Sequence, residues 1–116
     1  MATVLTQAGE EWVVDKLDET LQTNSSWVAW GTGAGTAAKA DTTLFVESSE
    51  ARVNGTLSQP AVDKNRVVAT ITANGTKTIT NAGNFTASVA GTLVVHGDFA
   101  GVAVNSGDTI QFTIDL

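Results

Sequence analysis

A chain of 116 residues has room for one ordinary domain and not for a catalytic domain joined to a second one, so a single domain over residues 1–116 is expected. The lack of cysteine excludes a disulfide scaffold, thiolate zinc sites, thiol catalysis and iron–sulfur ligation. Twelve acidic residues against six basic ones, a net charge of −6, create a field that repels nucleic acid and anionic lipid, so neither is expected as a partner.

The first predicted element is an amphipathic helix over about 8–21, in which Val13, Val14, Leu17 and Leu21 share an apolar stripe about 100° wide. Thr6 is placed to cap it, and Glu10 and Glu11 lie in the early turns, where the helix dipole favours anions. Trp12 sits at the flank of the stripe, where it either laps over the domain edge or anchors a partner. No apolar run approaches the roughly 20 residues that span a bilayer, and residues 1–10 have neither a basic nor an apolar leader segment, so the chain reads as soluble and unprocessed.

After Asn24 the pattern changes to period two, with segments rich in Val, Ile, Thr and Phe broken by Gly and Asn. Strands are expected at 26–30, 45–53, 66–73, 76–80, 92–97 and 109–115, with shorter pieces near Leu57, Phe85 and Val102. Trp27 and Trp30 point to opposite sides of the first of these. Either one joins the core while the other faces outward or toward a neighbour, or both are covered within the fold, one by the opposite sheet and the other by the N-terminal helix. The stretch 31–40 (GTGAGTAAKA) is poor in large apolar residues and reads as a long exposed connection serving as a contact arm, with Gly31, Thr32, Gly33 and Lys39 as contact candidates. Glu50 and Arg52 share a face of the 45–53 strand and are expected to pair with each other or to reach a neighbour.

Asn74-Gly75 signals a hairpin between 66–73 and 76–80, because both residues tolerate positive φ. A two-residue loop sets Ile71 opposite Thr78. A three-residue loop sets it opposite Ile79 on the same face, which better suits a one-sided core. In the last strand Ile110, Phe112, Ile114 and Leu116 alternate with polar residues, giving one buried face. The whole reads as mainly β: an antiparallel β-sandwich, jelly-roll or immunoglobulin-like, with one short N-terminal α-helix.

Candidate chemistry is sparse. The only histidine, His96, has Asp98 two residues on and so on the same side of its strand, a pair able to hold a metal or move a proton. No second His or Cys completes a zinc site and no serine sits in a nucleophile-elbow sequence, so a structural histidine, no enzyme and no cofactor are expected. The run Gly31 to Thr36 lacks the Gly-Lys-Ser/Thr ending of a phosphate loop and the βαβ context of a dinucleotide site. Sequons at Asn24, Asn54, Asn74 and Asn84 are by-products of Asn-rich turns beside Thr-rich strands. Asp41, Glu47, Glu50, Asp63 and Asp108 form no calcium loop and are read as solvated or interface charges.

The succession Trp30-Gly31-Thr32-Gly33, Ala40 to Leu44, Glu50-Ala51-Arg52-Val53, Ile79 to Phe85 and Gly107 to Ile110 resembles a group of small tailed-bacteriophage virion proteins, over most of the chain from about Leu5 to Ile114. Asn81 stands where that group commonly has an acid, and Asn84 where it commonly has an aliphatic residue. The resemblance implies a non-enzymatic virion protein made in the bacterial cytoplasm. Of the placements it allows, a capsid decoration (cement) protein is favoured, a homotrimer on the outer surface of the head that binds the major capsid protein. A tail or fibre protein is the alternative, and a carbohydrate-binding β-sandwich with exposed Trp platforms is a third reading. Trp12, Trp27, Trp30, Gly31, Thr32, Gly33, Lys39 and Arg52 are the interface candidates.

Overall fold

The computed structural model of the chain describes residues 2–17 and 24–116. Within them lie, in chain order, β1 (Thr3–Leu5), α1 (Gln7–Leu17), β2 (Trp27–Gly31), β3 (Val53–Asn54), β4 (Thr56–Ala61), β5 (Lys64–Thr72), β6 (Lys77–Phe85), β7 (Leu93–Val104) and β8 (Thr109–Asp115). All pairings are antiparallel. They form a five-stranded sheet in the order β1-β7-β6-β2-β3 and a three-stranded sheet in the order β4-β5-β8. The expected β-sandwich with one short helix is the fold found.

The core is the space between the sheets. Val28, Trp30, Ile79, Ala82 and Val104 of the larger sheet meet Val67, Ala69 and Ile71 of the smaller one, with Phe99, Ile110, Phe112 and Ile114 packed against them. The Trp30 and Phe112 rings meet edge to face, centroids 6.1 Å apart. Such contacts favour the positive ring edge over the negative ring face. The alternation in 109–115 is thus the pattern of a strand with its apolar side on the core, as expected.

Several expectations are corrected. The Asn74-Gly75 turn joins no hairpin: β5 pairs with β4 and β8, whereas β6 pairs with β2 and β7. The chain crosses there from one sheet to the other. Ile71 and Ile79 therefore meet across the core rather than along a ladder, and Ile71 pairs instead with Ile110. The three-residue loop is favoured by sequence because it puts Ile71 and Ile79 on one face, and a crossover brings them together as well. Periodicity specifies the face of a strand and not its neighbour.

The strand expected at 45–53 is mostly irregular, with one bridge between Gly31 and Glu47 before β3. Val46 takes φ +52°, the left-handed region that a β-branched residue rarely enters, and this breaks the extended run. The short pieces expected near Phe85 and Val102 belong to the long strands β6 and β7, while the piece near Leu57 is β4.

The helix forms where expected but buries a different face. Thr6 caps it, its Oγ1 accepting from the Gly9 amide at 2.9 Å. Val14 is 57% exposed and Leu17 79% exposed, while Trp12 is buried with Val94 and Val95 and has Leu5 and Val13 beside it. Gly9 is the cause. A Cβ there would stand 2.5 Å from the Val94 carbonyl oxygen, so the helix crosses β7 at close range on its Gly9–Trp12–Val13 face. A hydrophobic stripe counted from side chains gives no weight to a glycine. Leu21 lies outside the described residues.

Candidate functional site

His96 lies on β7 with its side chain fully buried. Its expected partner Asp98, two residues on along β7, accepts from the amides of Ala37 (2.8 Å) and Ala2 (2.9 Å), which hold its carboxyl below the usual carboxylate range. The groups against His96 are Asp41, whose Oδ2 is 2.8 Å from Nδ1, and Asn81, whose Oδ1 is 3.0 Å from Nε2. Asn81 is fixed in turn by Phe45. The Phe45 amide donates to Asn81 Oδ1 and Asn81 Nδ2 donates to the Phe45 carbonyl, both at 3.0 Å. Because Oδ1 is thereby set as an acceptor, Nε2 of His96 carries a hydrogen and donates. The Phe45 ring closes over the imidazole, centroids 4.7 Å apart.

This array is a fastener. It pins the segment 31–47 onto the outer face of the larger sheet. Further bonds run from Thr32 N to Val46 O, from Gly33 N to Phe45 O, from Thr80 Oγ1 to Gly33 O and from Gln7 N to Lys39 O. The glycines fit that role, since a Cβ on Gly33 would lie 2.8 Å from Phe45 C and one on Gly35 2.7 Å from the Phe45 ring. The expected contact arm is docked on the sheet through Gly31–Gly33 and Ala37, while 34–36 and 38–40, six of its ten residues, are exposed as expected. Polar side chains on β6 and β7, with Asp41 of the segment itself, do the docking, and a local reading of glycine and alanine does not reveal them.

A second polar cluster ties the next stretch down. Glu50 is not paired with Arg52. Its Oε1 accepts from Trp30 Nε1 (2.8 Å) and Ser48 Oγ (2.5 Å), and its Oε2 from Lys77 Nζ (2.7 Å) and the Asn74 amide (3.0 Å). Burial alone pushes the Glu50 carboxyl up. The bonds from Lys77, Ser48, Trp30 and Asn74 outweigh it and hold the group far below the usual carboxylate range. Arg52 forms a two-pronged pair with Glu47, at 2.9 and 3.0 Å, and donates to the carbonyls of Ala87 (2.9 Å) and Ala90 (2.7 Å). Its guanidinium also lies 3.6 Å from the centroid of the Phe85 ring. Asp41 and Glu50, read from sequence as solvated or interface charges, are held in hydrogen bonds within the fold.

The interface candidates divide accordingly. Trp30 is 1% exposed, Trp12 is 9% exposed and Gly31 is buried. Trp27, half-buried, rests on Ala29, Leu44, Phe85 and Leu93, so both sides of the WVAW strand are covered within the fold. Among the described residues helix α1, the expected cover, takes no part at Trp27. Arg52 is spent on its loop contacts. Thr32 and Gly33 are half-buried under Phe45 and Val46, and Lys39 is exposed beside Glu10. Of the sequons, Asn84 is buried, donating to Ser25 O at 2.8 Å and accepting from Val95 N.

The exposed apolar side chains lie elsewhere. Leu17 and Val62 (95% exposed), with Val13 and Leu116, line a shallow groove of about 560 Å³ between α1 and the turn joining β4 to β5. Val46 and Val89 stand out on the two loops held by Arg52. The sequence carried a signal for Leu17, but the helical stripe assigned it to the core. Among the described residues no three His, Cys, Asp or Glu side chains gather to hold a metal, and no helix is long and apolar enough to cross a membrane. No family model, curated protein or solved structure matches the chain.

Proposed function

We propose that the chain is a non-enzymatic virion structural protein of a tailed bacteriophage, a capsid decoration protein that binds major capsid subunits on the outer surface of the head. The reading starts from the resemblance carried by the motifs at 30–33, 40–44, 50–53, 79–85 and 107–110. The observation that carries it further is the division of labour among side chains. The polar groups that a catalytic reading would use, His96, Asp41 and Glu50, are held in structural hydrogen bonds, whereas Leu17 and Val62 stand exposed on a groove. Exposed apolar residues gathered around a groove are the usual mark of a protein contact. A cementing protein needs only modest affinity per copy. Many identical copies on one lattice add their contacts, and binding selective for the expanded shell stabilises it by mass action.

Sedimentation of the purified chain with phage heads assembled without it, before and after expansion, tests this. Retention by expanded heads is expected, weakened by Leu17→Ser with Val62→Ser. Failure to sediment with either form removes the reading. Sedimentation with tails alone moves it to the tail or fibre alternative. The carbohydrate reading loses its platforms, since Trp12 and Trp30 are enclosed and Trp27 is half-buried on its own cluster.

A further inference from the structure

A sheet edge exposes a row of unpaired amides and carbonyls, and folded proteins normally blunt it by shortness, proline, bulges or charge. Most edges of this sandwich are blunted. β1 has three residues and β3 two. β4 carries Pro60 and a register shift between Ser58 and Ala61. The part of β7 beyond β1 is bulged, with Phe99, Ala100 and Gly101 opposite Thr80 alone.

The exception is β8. It pairs with β5 over seven consecutive residues, from Arg66↔Asp115 to Thr72↔Thr109, without a shift. It contains no proline and no lysine, and its one charge, Asp115, is neutralised by Arg66 at 2.7 and 3.0 Å.

The hydrogen-bond parity of this edge follows from two flanking pairs. Asn65 and Leu116 exchange both backbone bonds, and Ala73 donates to Asp108. Bonded pairs recur every second residue along an antiparallel ladder, so Ile110, Phe112 and Ile114 turn their amides and carbonyls toward β5. Thr109, Gln111, Thr113 and Asp115 turn theirs outward, where no strand pairs with them among the described residues. Beside this edge a cleft of about 160 Å³, lined by Val95, Phe99, Phe112 and Ile114 among others, leaves the margin of the core open.

We propose that β8 pairs antiparallel with β8 of a second copy of the chain about a twofold axis at Phe112, joining two three-stranded sheets into one of six strands. The sequence is self-complementary in that register. Thr109 falls opposite Asp115 and Gln111 opposite Thr113, the outward-bonding residues on both copies. On the core side Ile110 falls opposite Ile114, and Phe112 opposite its own symmetry mate. No like charges oppose one another, and the second copy borders the open cleft. A partner strand of another sequence would use the same backbone groups. The self-matching of polar with polar and apolar with apolar residues favours a second copy.

Light scattering on the purified chain at rising concentration, with backbone amide exchange read residue by residue, tests the pair. Twice the chain mass of 11.9 kDa is expected. The Gln111 and Thr113 amides should gain protection as the pair forms. Gln111→Lys with Thr113→Lys, which sets lysine against lysine across the axis, should weaken the pair about tenfold or more. Thr113→Pro removes an outward donor but no bond to β5, and should do the same. Melting curves of the separated monomers show whether each variant is folded, and the lysine variant serves if the proline variant is not. A chain monomeric at every concentration overturns the proposal. So does any assembly, a trimer included, in which the Gln111 and Thr113 amides still exchange freely. Neither outcome bears on sedimentation with phage heads, which stands or falls separately.

Discussion

The two outer faces of the sandwich are treated in opposite ways. Over the larger sheet, segment 31–52 is folded back and fastened by buried polar side chains: Asn81 and His96 at one place, Glu50 with Trp30 and Lys77 at another. Over the smaller sheet the outer face of β4, β5 and β8 is bare, and β4 is exposed along its whole length. Buried polar groups are costly unless fully satisfied, and fully satisfied they specify one arrangement. The chain thus fixes one face by hydrogen bonds, and leaves open the β8 edge and the groove between α1 and the β4–β5 turn.

That contrast can be broken first at its root. Trp30→Ala opens a cavity between the sheets and removes one donor from Glu50. A loss of about 3–5 kcal/mol in denaturant unfolding is expected, so Trp30 is unsuitable as a probe of assembly. Asn81→Leu leaves His96 Nε2 and the Phe45 amide without their partner, and the Phe45 carbonyl with the Gly33 amide alone, while sparing the inter-sheet core. About 1–3 kcal/mol should be lost, with faster amide exchange confined to the cover. Glu50 sharpens the comparison through pH. Its carboxyl is lowered from an ordinary value of 4.5, so its stabilising effect is complete above that pH and is lost as the pH falls toward the folded-state value. Melting temperature against pH should therefore drop on the acid side less steeply in Glu50→Gln than in the parent chain. At the groove, Leu17→Ser and Val62→Ser should each change stability by no more than about 0.5 kcal/mol while weakening attachment to expanded heads.

How far these features were legible depended on their range along the chain. The last strand, the Thr6 cap and the sandwich class follow from periodicity and local chemistry, which a sequence displays directly. The fasteners join Asp41 to His96, Phe45 to Asn81 and Trp30 to Glu50, residues far apart in sequence whose types alone name no partner. His96 and Asp98 were adjacent enough to suggest a pair, yet the neighbours of His96 in space arrived from two other segments. The motifs behind the phage resemblance fall largely on these fasteners: Trp30, Gly31, Gly33, Glu50, Arg52 and Asn81. They describe how the cover is held, while Leu17, Val62 and β8 lie outside them or at their margin.

The pairing of β1 with β7 sets an order of events during synthesis. Thr3 needs Gly97 and Leu5 needs Val95, and the helix that follows rests on Val94. Thr3–Leu5 is thus made well before it can find its place, because its partner follows some ninety residues later. Until Gly97 emerges, Trp12 and Leu5 have no surface to cover. Long-range pairing of this kind slows folding and leaves apolar side chains open to other contacts in the interval.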